Sequence, residues 1–347
     1  MRFLALAAFL FLAQAAAVDS KATKPSAPLS TPAPADARGV PLEGLELISC
    51  TSCHADIVLE WATTLHGRAW VDEAYREELA DVRRPESCHN CHIPEPLHLQ
   101  LGADGALPQK PKTRDATLRN VPIPDVDAHF GVSCETCHRG PDGTILGPWG
   151  APTDAHVSKK HASFLPESKS ALCIACHATT VGPVIGIAKD FAESSPAAAG
   201  RSCVDCHMAP VERPAAVEAG KPAHPARPGR SHALQTPRDP SFLARAFDIT
   251  VERRGETTVV VLTNASGHRM PGRVGRVFRF AAELLDAQGT VVATAKHAIE
   301  TRFSLPADGT RELVLKGIGA SVRVVATHEA PALPDDVKFV DVNIAVP

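Results

Sequence analysis

Cys50-Thr51-Ser52-Cys53-His54 is the first of five copies of Cys-x-x-Cys-His in this 347-residue chain. The others are Cys88-His89-Asn90-Cys91-His92, Cys134-Glu135-Thr136-Cys137-His138, Cys173-Ile174-Ala175-Cys176-His177 and Cys203-Val204-Asp205-Cys206-His207, and together they use all ten cysteines. Two thiols separated by two residues can each form a thioether to a vinyl group of one porphyrin, and the adjoining His then lies under the iron. A disulfide framework does not require His after every second Cys. Structural zinc takes two Cys-x-x-Cys pairs per metal, and five pairs is odd. The repeat therefore predicts five covalent c-type haems, with His54, His92, His138, His177 and His207 as proximal ligands.

Outward from the repeat, the N-terminus reads as an export signal. Arg2 precedes an apolar run from Phe3 to Leu12 and small residues through Ala17, which predicts a signal peptide over 1–18. That run is too short to span a membrane and no later one is long enough, so membrane insertion is not expected. No Cys lies near the cleavage site, which argues against a lipid anchor on the mature N-terminus. Haem attachment occurs outside the bacterial cytoplasm, so the expected location is the periplasm or beyond it. Residues 19–40 are rich in Pro, Ala, Ser and Thr and are expected to form a disordered linker.

The rest divides by composition. Residues 41–240 hold every Cys, many Pro and no long amphipathic period, so a conventional side-chain core is hard to assemble there. The expected fold is a multihaem cytochrome domain of short helices and loops wrapped around haems. From 243 to 347 the pattern becomes period-two. Phe278, Phe280, Ala282 and Leu284 alternate with Arg279, Ala281 and Glu283, and Asp286-Ala287-Gln288-Gly289 turns into Thr290–Ala295. Thr257–Thr263, Val322–Thr327 and Phe339–Ile344 also read as strands. The expectation is an all-β, sandwich-like domain.

Sixth ligands come from the remaining histidines. The chain has 16 His, and removing the proximal five leaves eleven. Met raises haem potentials but is scarce, with Met270 the one plausible ligand, so His on both faces of most irons is expected. Ile57, Trp61 and Leu65 recur every fourth residue and predict a helix from His54 towards His66. Twelve helical residues rise about 18 Å, too far for one iron, so His66 is expected to cap a neighbouring haem. His89, between two attachment cysteines, reads as solvent-facing. His297 and His328 fall in strands and read as ordinary surface or core residues.

By these features the chain resembles the multihaem cytochromes related to the tetrahaem cytochrome c-554 family. The residues that carry the likeness are Trp61, Thr64 and His66 after the first motif, and His129-Phe130-Gly131-Val132-Ser133-Cys134 before the third. Cys206-His207-Met208-Ala209-Pro210 followed by Ser231-His232 resembles a recurring end of the haem domain. Asn264-Ala265-Ser266-Gly267-His268-Arg269-Met270-Pro271-Gly272 is similar to the segment opening the β-domain of many relatives, with one Thr missing between Pro271 and Gly272. The resemblance implies His66, His129, His232 and His268 as distal ligands. His156 is taken as the fifth, with His161 next to it in rank and His98 and His224 in reserve.

Charge narrows the partners. Without Arg2 the chain carries 35 Lys and Arg against 39 Asp and Glu, a net of −4. Haem propionates make it more negative, so nucleic acid is excluded as a partner. The expected partners are redox proteins, with a membrane-bound donor among the candidates. Three readings of function stay open: electron relay, a reductase or oxidase of a small nitrogen or sulfur compound at one open haem, and a haem-filament subunit. No Cys-x-x-Cys-Lys variant marks a catalytic haem.

Overall fold

The computed structural model describes residues 49–82, 86–113, 131–150, 153–168, 170–181, 184–218, 220–222, 224–331 and 335–347. The expected signal peptide, the linker and His129 lie outside the described residues. All described residues belong to one compact unit. No helix among them is long and apolar enough to cross a membrane.

Up to residue 246 the described chain is built mainly from short helices. They are α1 (Thr51–Ala62), α2 (Glu73–Asp81), α3 (Glu86–His92), α4 (Cys134–His138), α5 (Ala171–His177), α6 (Ala188–Ala192), α7 (Ser195–Ala198), α8 (Cys203–His207) and α9 (Pro240–Ala244). Five of these carry the five motifs. A helical turn explains why, because positions i, i+3 and i+4 share one face. Both thiols and the imidazole of each motif are thereby presented on one side.

The helix starts are set locally. In α4, Ser133 and Thr136 cap each other reciprocally, and in α8 Ser202 and Asp205 do the same, satisfying backbone donors that such short helices leave open. The first helix stops at Ala62, short of the predicted reach to His66. Its end is made by hydroxyls: Thr63 Oγ1 donates to Glu60 O and Thr64 Oγ1 to Trp61 O, both at 2.7 Å. Thr side chains that bond the preceding turn favour helix ends.

Two small sheets interrupt this helical part, which the sequence had not indicated. Strands β1 (Ile145–Gly147) and β2 (Ser158–Lys160) pair in parallel, and β3 (Pro210–Arg213) and β4 (Arg227–Arg230) pair antiparallel.

Beyond Ala246 the chain is antiparallel sheet. Strands β5 (Phe247–Arg254), β6 (Thr257–Asn264) and β9 (Thr310–Lys316) form one sheet in the order β5-β6-β9. Strands β7 (Val277–Leu285), β8 (Val291–Glu300), β10 (Ser321–Glu329) and β11 (Val337–Ala345) form the other, in the order β11-β10-β7-β8. Strands β5 and β9 were not foreseen. In β5 the exposed run Glu252-Arg253-Arg254 ends the alternation, and in β9 Arg311 holds an inward position while Val314 is exposed, which blurs it.

The two sheets share one core. Phe247, Val260, Leu262, Leu313 and Leu315 from the first meet Phe278, Phe280, Leu284, Ile299, Val322, Val324 and Phe339 from the second. Each such buried side chain contributes roughly 1.5–3 kcal/mol. Met270 is buried in this same core, so it belongs to the sandwich and not to an iron. By contrast, the motif-bearing part has two small apolar clusters among the described residues. One is Val58, Trp61 and Ala62; the other is Trp70, Tyr75 and Ile93.

Candidate haem sites

Four of the five motif imidazoles are held in a uniform way. Nδ1 of His54 lies 2.6 Å from Ala215 O, that of His138 2.7 Å from Leu146 O, and that of His207 2.8 Å from Gln235 O. His92 Nδ1 bonds Ala69 O in the same manner. A carbonyl only accepts, so each Nδ1 must carry the proton, and Nε2 keeps its lone pair for a metal.

Across from four of the five lies a second imidazole. His54 faces His156 with ring centroids 6.4 Å apart, His138 faces His232 at 6.2 Å, His177 faces His66 at 6.2 Å, and His207 faces His268 at 6.4 Å. A metal–imidazole bond is roughly 2 Å long. Adding the distance from nitrogen to ring centre on both sides gives about 6 Å between centroids for two imidazoles on one metal. The spacing is too long for ring contact and too short for a solvent layer. It fits an iron held from both sides.

Burial supports the neutral, ligating form. Desolvation pulls His66 and His232 down to about 4, and lowers His138, His177, His207 and His268 below the ordinary imidazole value. Neighbouring imidazoles add to the effect at His66 and His232. An imidazole that resists protonation remains available to a metal.

The distal residues are braced by the sheet and by ion pairs. His232 N donates to Glu60 Oε2 at 2.7 Å, while Arg213 grips both Glu60 oxygens at 2.7 and 2.8 Å. The His268 loop is fixed by buried Asn264, whose Nδ2 donates to His268 O, Leu305 O and Pro306 O. Arg269 forks onto Asp190 of α6. Gly267 sits at φ +80°, and a Cβ there would meet Phe191 at 3.1 Å. Glycine is the residue that tolerates both conditions.

His92 has different company. Tyr75 stacks on its ring with centroids 3.6 Å apart and planes within 10°. Burial drops His92 to about 4 and pushes the Tyr75 phenol above its ordinary value. Tyr75 Oη and Trp70 Nε1 are buried with no hydrogen-bond partner among the described residues. Tyr75 is the sole tyrosine of the chain, a signal that sequence reasoning passed over. The Glu60–Arg213 brace was missed too, since 153 residues separate its partners.

The motifs also meet one another. The thiols of Cys50 and Cys134, of Cys91 and Cys176, and of Cys173 and Cys203 lie close enough to perturb one another. First and third motifs, second and fourth, and fourth and fifth are therefore neighbours at their attachment edges. Cys137 of the third motif acts on both Cys173 and Cys176 of the fourth, which joins all five into one network.

The remaining candidates lie elsewhere. His98 is buried, and its ring sits 4.6 Å from that of His161 at 75°, too close for an iron between them. Ser163 Oγ bridges the two, 2.9 Å from His161 Nδ1 and 3.3 Å from His98 Nε2. His224 is exposed, beside Glu218. His89 is not solvent-facing: it is 2 % exposed and packs on Trp70 at 4.8 Å. The α3 turn carries it to the face opposite the thiols, and that face is covered by the Trp70 segment.

Residues 151–220 match the family of cytochrome c554 and c-prime. The crystal structure of a penta-heme cytochrome c552 from Thermochromatium tepidum superposes with a TM-score of 0.54 at 18 % identity, covering 85 % of this chain and 97 % of that one. The fold is that of a multihaem c-type cytochrome, and residues 151–220 are similar to the cytochrome c554 family. No curated protein matches it in sequence. In this chain the donor set fits haem c: paired thiols for the thioethers, and imidazoles in facing pairs for the iron. Haem bound there would supply one-electron exchange, and the residues above would hold, orient and shield it.

Proposed function

We propose that this cytochrome is an exported, periplasmic pentahaem electron carrier that passes electrons between redox partner proteins, a membrane-bound donor among them. The observation that carries this reading is the set of four His–His pairs at 6.2–6.4 Å. It supports iron held by His54 and His156, His138 and His232, His177 and His66, and His207 and His268. Two strong-field imidazoles leave no position for substrate, which suits electron transfer. The neighbouring attachment edges support rapid exchange, since tunnelling falls steeply with distance. The intact mass of the denatured protein should equal the processed chain plus five haems; fewer, with free thiols or disulfides, would refute the count.

A second reading has its own observation. The ring against His92 among the described residues is Tyr75, not a histidine. A haem on Cys88 and Cys91 with an open sixth position would make this cytochrome a reductase or oxidase of a small compound. His129 is the other candidate for that position. Carbon monoxide added to the reduced protein separates the two: no spectral change supports the carrier, and binding to one haem supports the enzyme.

A further inference from the structure

The loop between His268 and strand β7 carries three arginines, and two have partners. Arg269 is paired with Asp190, and Arg273 Nη2 donates to Glu78 Oε2 at 2.9 Å. Arg276 makes no hydrogen bond or ion pair to any described residue, and its Nε is buried. Nearby His328 is 0 % exposed and stacked on Phe278 at 4.8 Å, with neither ring nitrogen hydrogen-bonded among the described residues. The Pro237 carbonyl lies towards it, outside hydrogen-bond geometry.

The surroundings make a lone cation costly. Burial, then Arg273 and Arg238, bring Arg276 down to about 10. Arg276 is half-buried with its Nε sealed from solvent, and a partly desolvated cation whose Nε has no partner is unfavourable, so this cluster favours an anion. Its place is defined by α2. Tyr75 and Glu78 are three residues apart on one helix face. Tyr75 stacks on His92, while Glu78 holds Arg273. The loop thus lies beside the second haem site.

We propose that Arg276 and His328 form a receptor for a carboxylate at the flank of the Cys88–His92 site. A guanidinium fork matches a carboxylate's two oxygens, and His328 supplies a further donor from the sandwich. The carboxylate has two sources, a propionate of the neighbouring haem or a free small carboxylate. The first rests on haem being attached at Cys88 and Cys91. In either case the role is positioning: the site ties the β-sheets to the second motif.

The experiment uses the haem-loaded protein and its Arg276→Leu and Arg276→Lys variants. A propionate partner predicts that Arg276→Leu moves one haem midpoint to lower potential, because a lost cation disfavours the added electron, while Arg276→Lys moves it less. The other midpoints stay in place. A free carboxylate predicts that acetate raises the wild-type melting temperature, saturably and beyond equal chloride, and that Arg276→Leu abolishes the effect. If Arg276→Leu does not fold, Arg276→Lys and His328→Gln are read for the same two signals. Unchanged midpoints together with no acetate-specific stabilisation overturn the proposal. Intact mass tests the haem reading separately: without haem on Cys88 and Cys91, only the acetate response upholds the receptor.

Discussion

At the scale of single residues, His268 shows how one side chain can join distant parts of the chain. It stands 61 positions after His207 in the sequence, yet its ring lies parallel to that of His207 within 14° at 6.4 Å. Its Nδ1 is 3.1 Å from Arg269 O, so Nε2 is left for the gap between the rings. His268→Ala should leave every haem covalently attached, since the thioethers are untouched. One haem should become high-spin or water-ligated and rise in potential, because an electron-donating imidazole is lost. A spectrum and redox titration identical to the parent's would reduce His268 to a turn residue. As candidates, the motif residues and His66, His156, His232 and His268 were legible in the sequence. The partner of each was not, because pairing depends on which motifs are brought together in space.

At the scale of elements, the His268 loop and α6 form a unit whose strength depends on pH. The Arg269 hydrogen bond, against the smaller opposing effect of burial, holds Asp190 below the usual carboxylate range. A depressed carboxylate contributes stability that is complete above its unfolded value of about 3.9 and is lost as pH falls through the folded value. The Arg269 side chain is 40 % exposed, so solvent screening keeps the contribution to about 1 kcal/mol. In urea denaturation, Asp190→Asn should be less stable than the parent by about that amount at pH 7. The two curves should converge as pH falls from about 3.9 through the lower, folded value. A gap that never narrows as pH falls below about 3.9 would mean that the pair does not act through charge. The strands β7, β10 and β11 were legible from alternation, β6 from its strand-forming residues, and β8 from its first residues. Strands β5 and β9 were not, because their outward and terminal positions carry a mix of charges.

At the scale of the whole molecule, apolar burial is lopsided. The large core lies in the sandwich, and among the described residues the motif-bearing part has two clusters of three buried residues each. Porphyrin faces would provide the missing apolar surface, and a cofactor that completes a fold adds its binding free energy to folding. Cys134→Ala with Cys137→Ala should therefore expose residues 41–240 to protease while the 243–347 sandwich stays protected. A haem-free chain resistant throughout would show that the helical part folds on its own side chains.

What the sequence by itself determined was local chemistry. The motif count, the helical turn that aligns Cys, Cys and His, and the period-two strands all depend on residues within a few positions of each other. Tertiary structure alone decided which imidazole faces which, that motif three lies against motif one, and that Tyr75 rather than a nearby histidine stacks on His92. Those choices are made by contacts such as Arg213 to Glu60 and Arg273 to Glu78, whose partners are 153 and 195 residues apart. No short-range pattern encodes separations of that length, because the chain between them is free to take any path until the core and the motifs close around it.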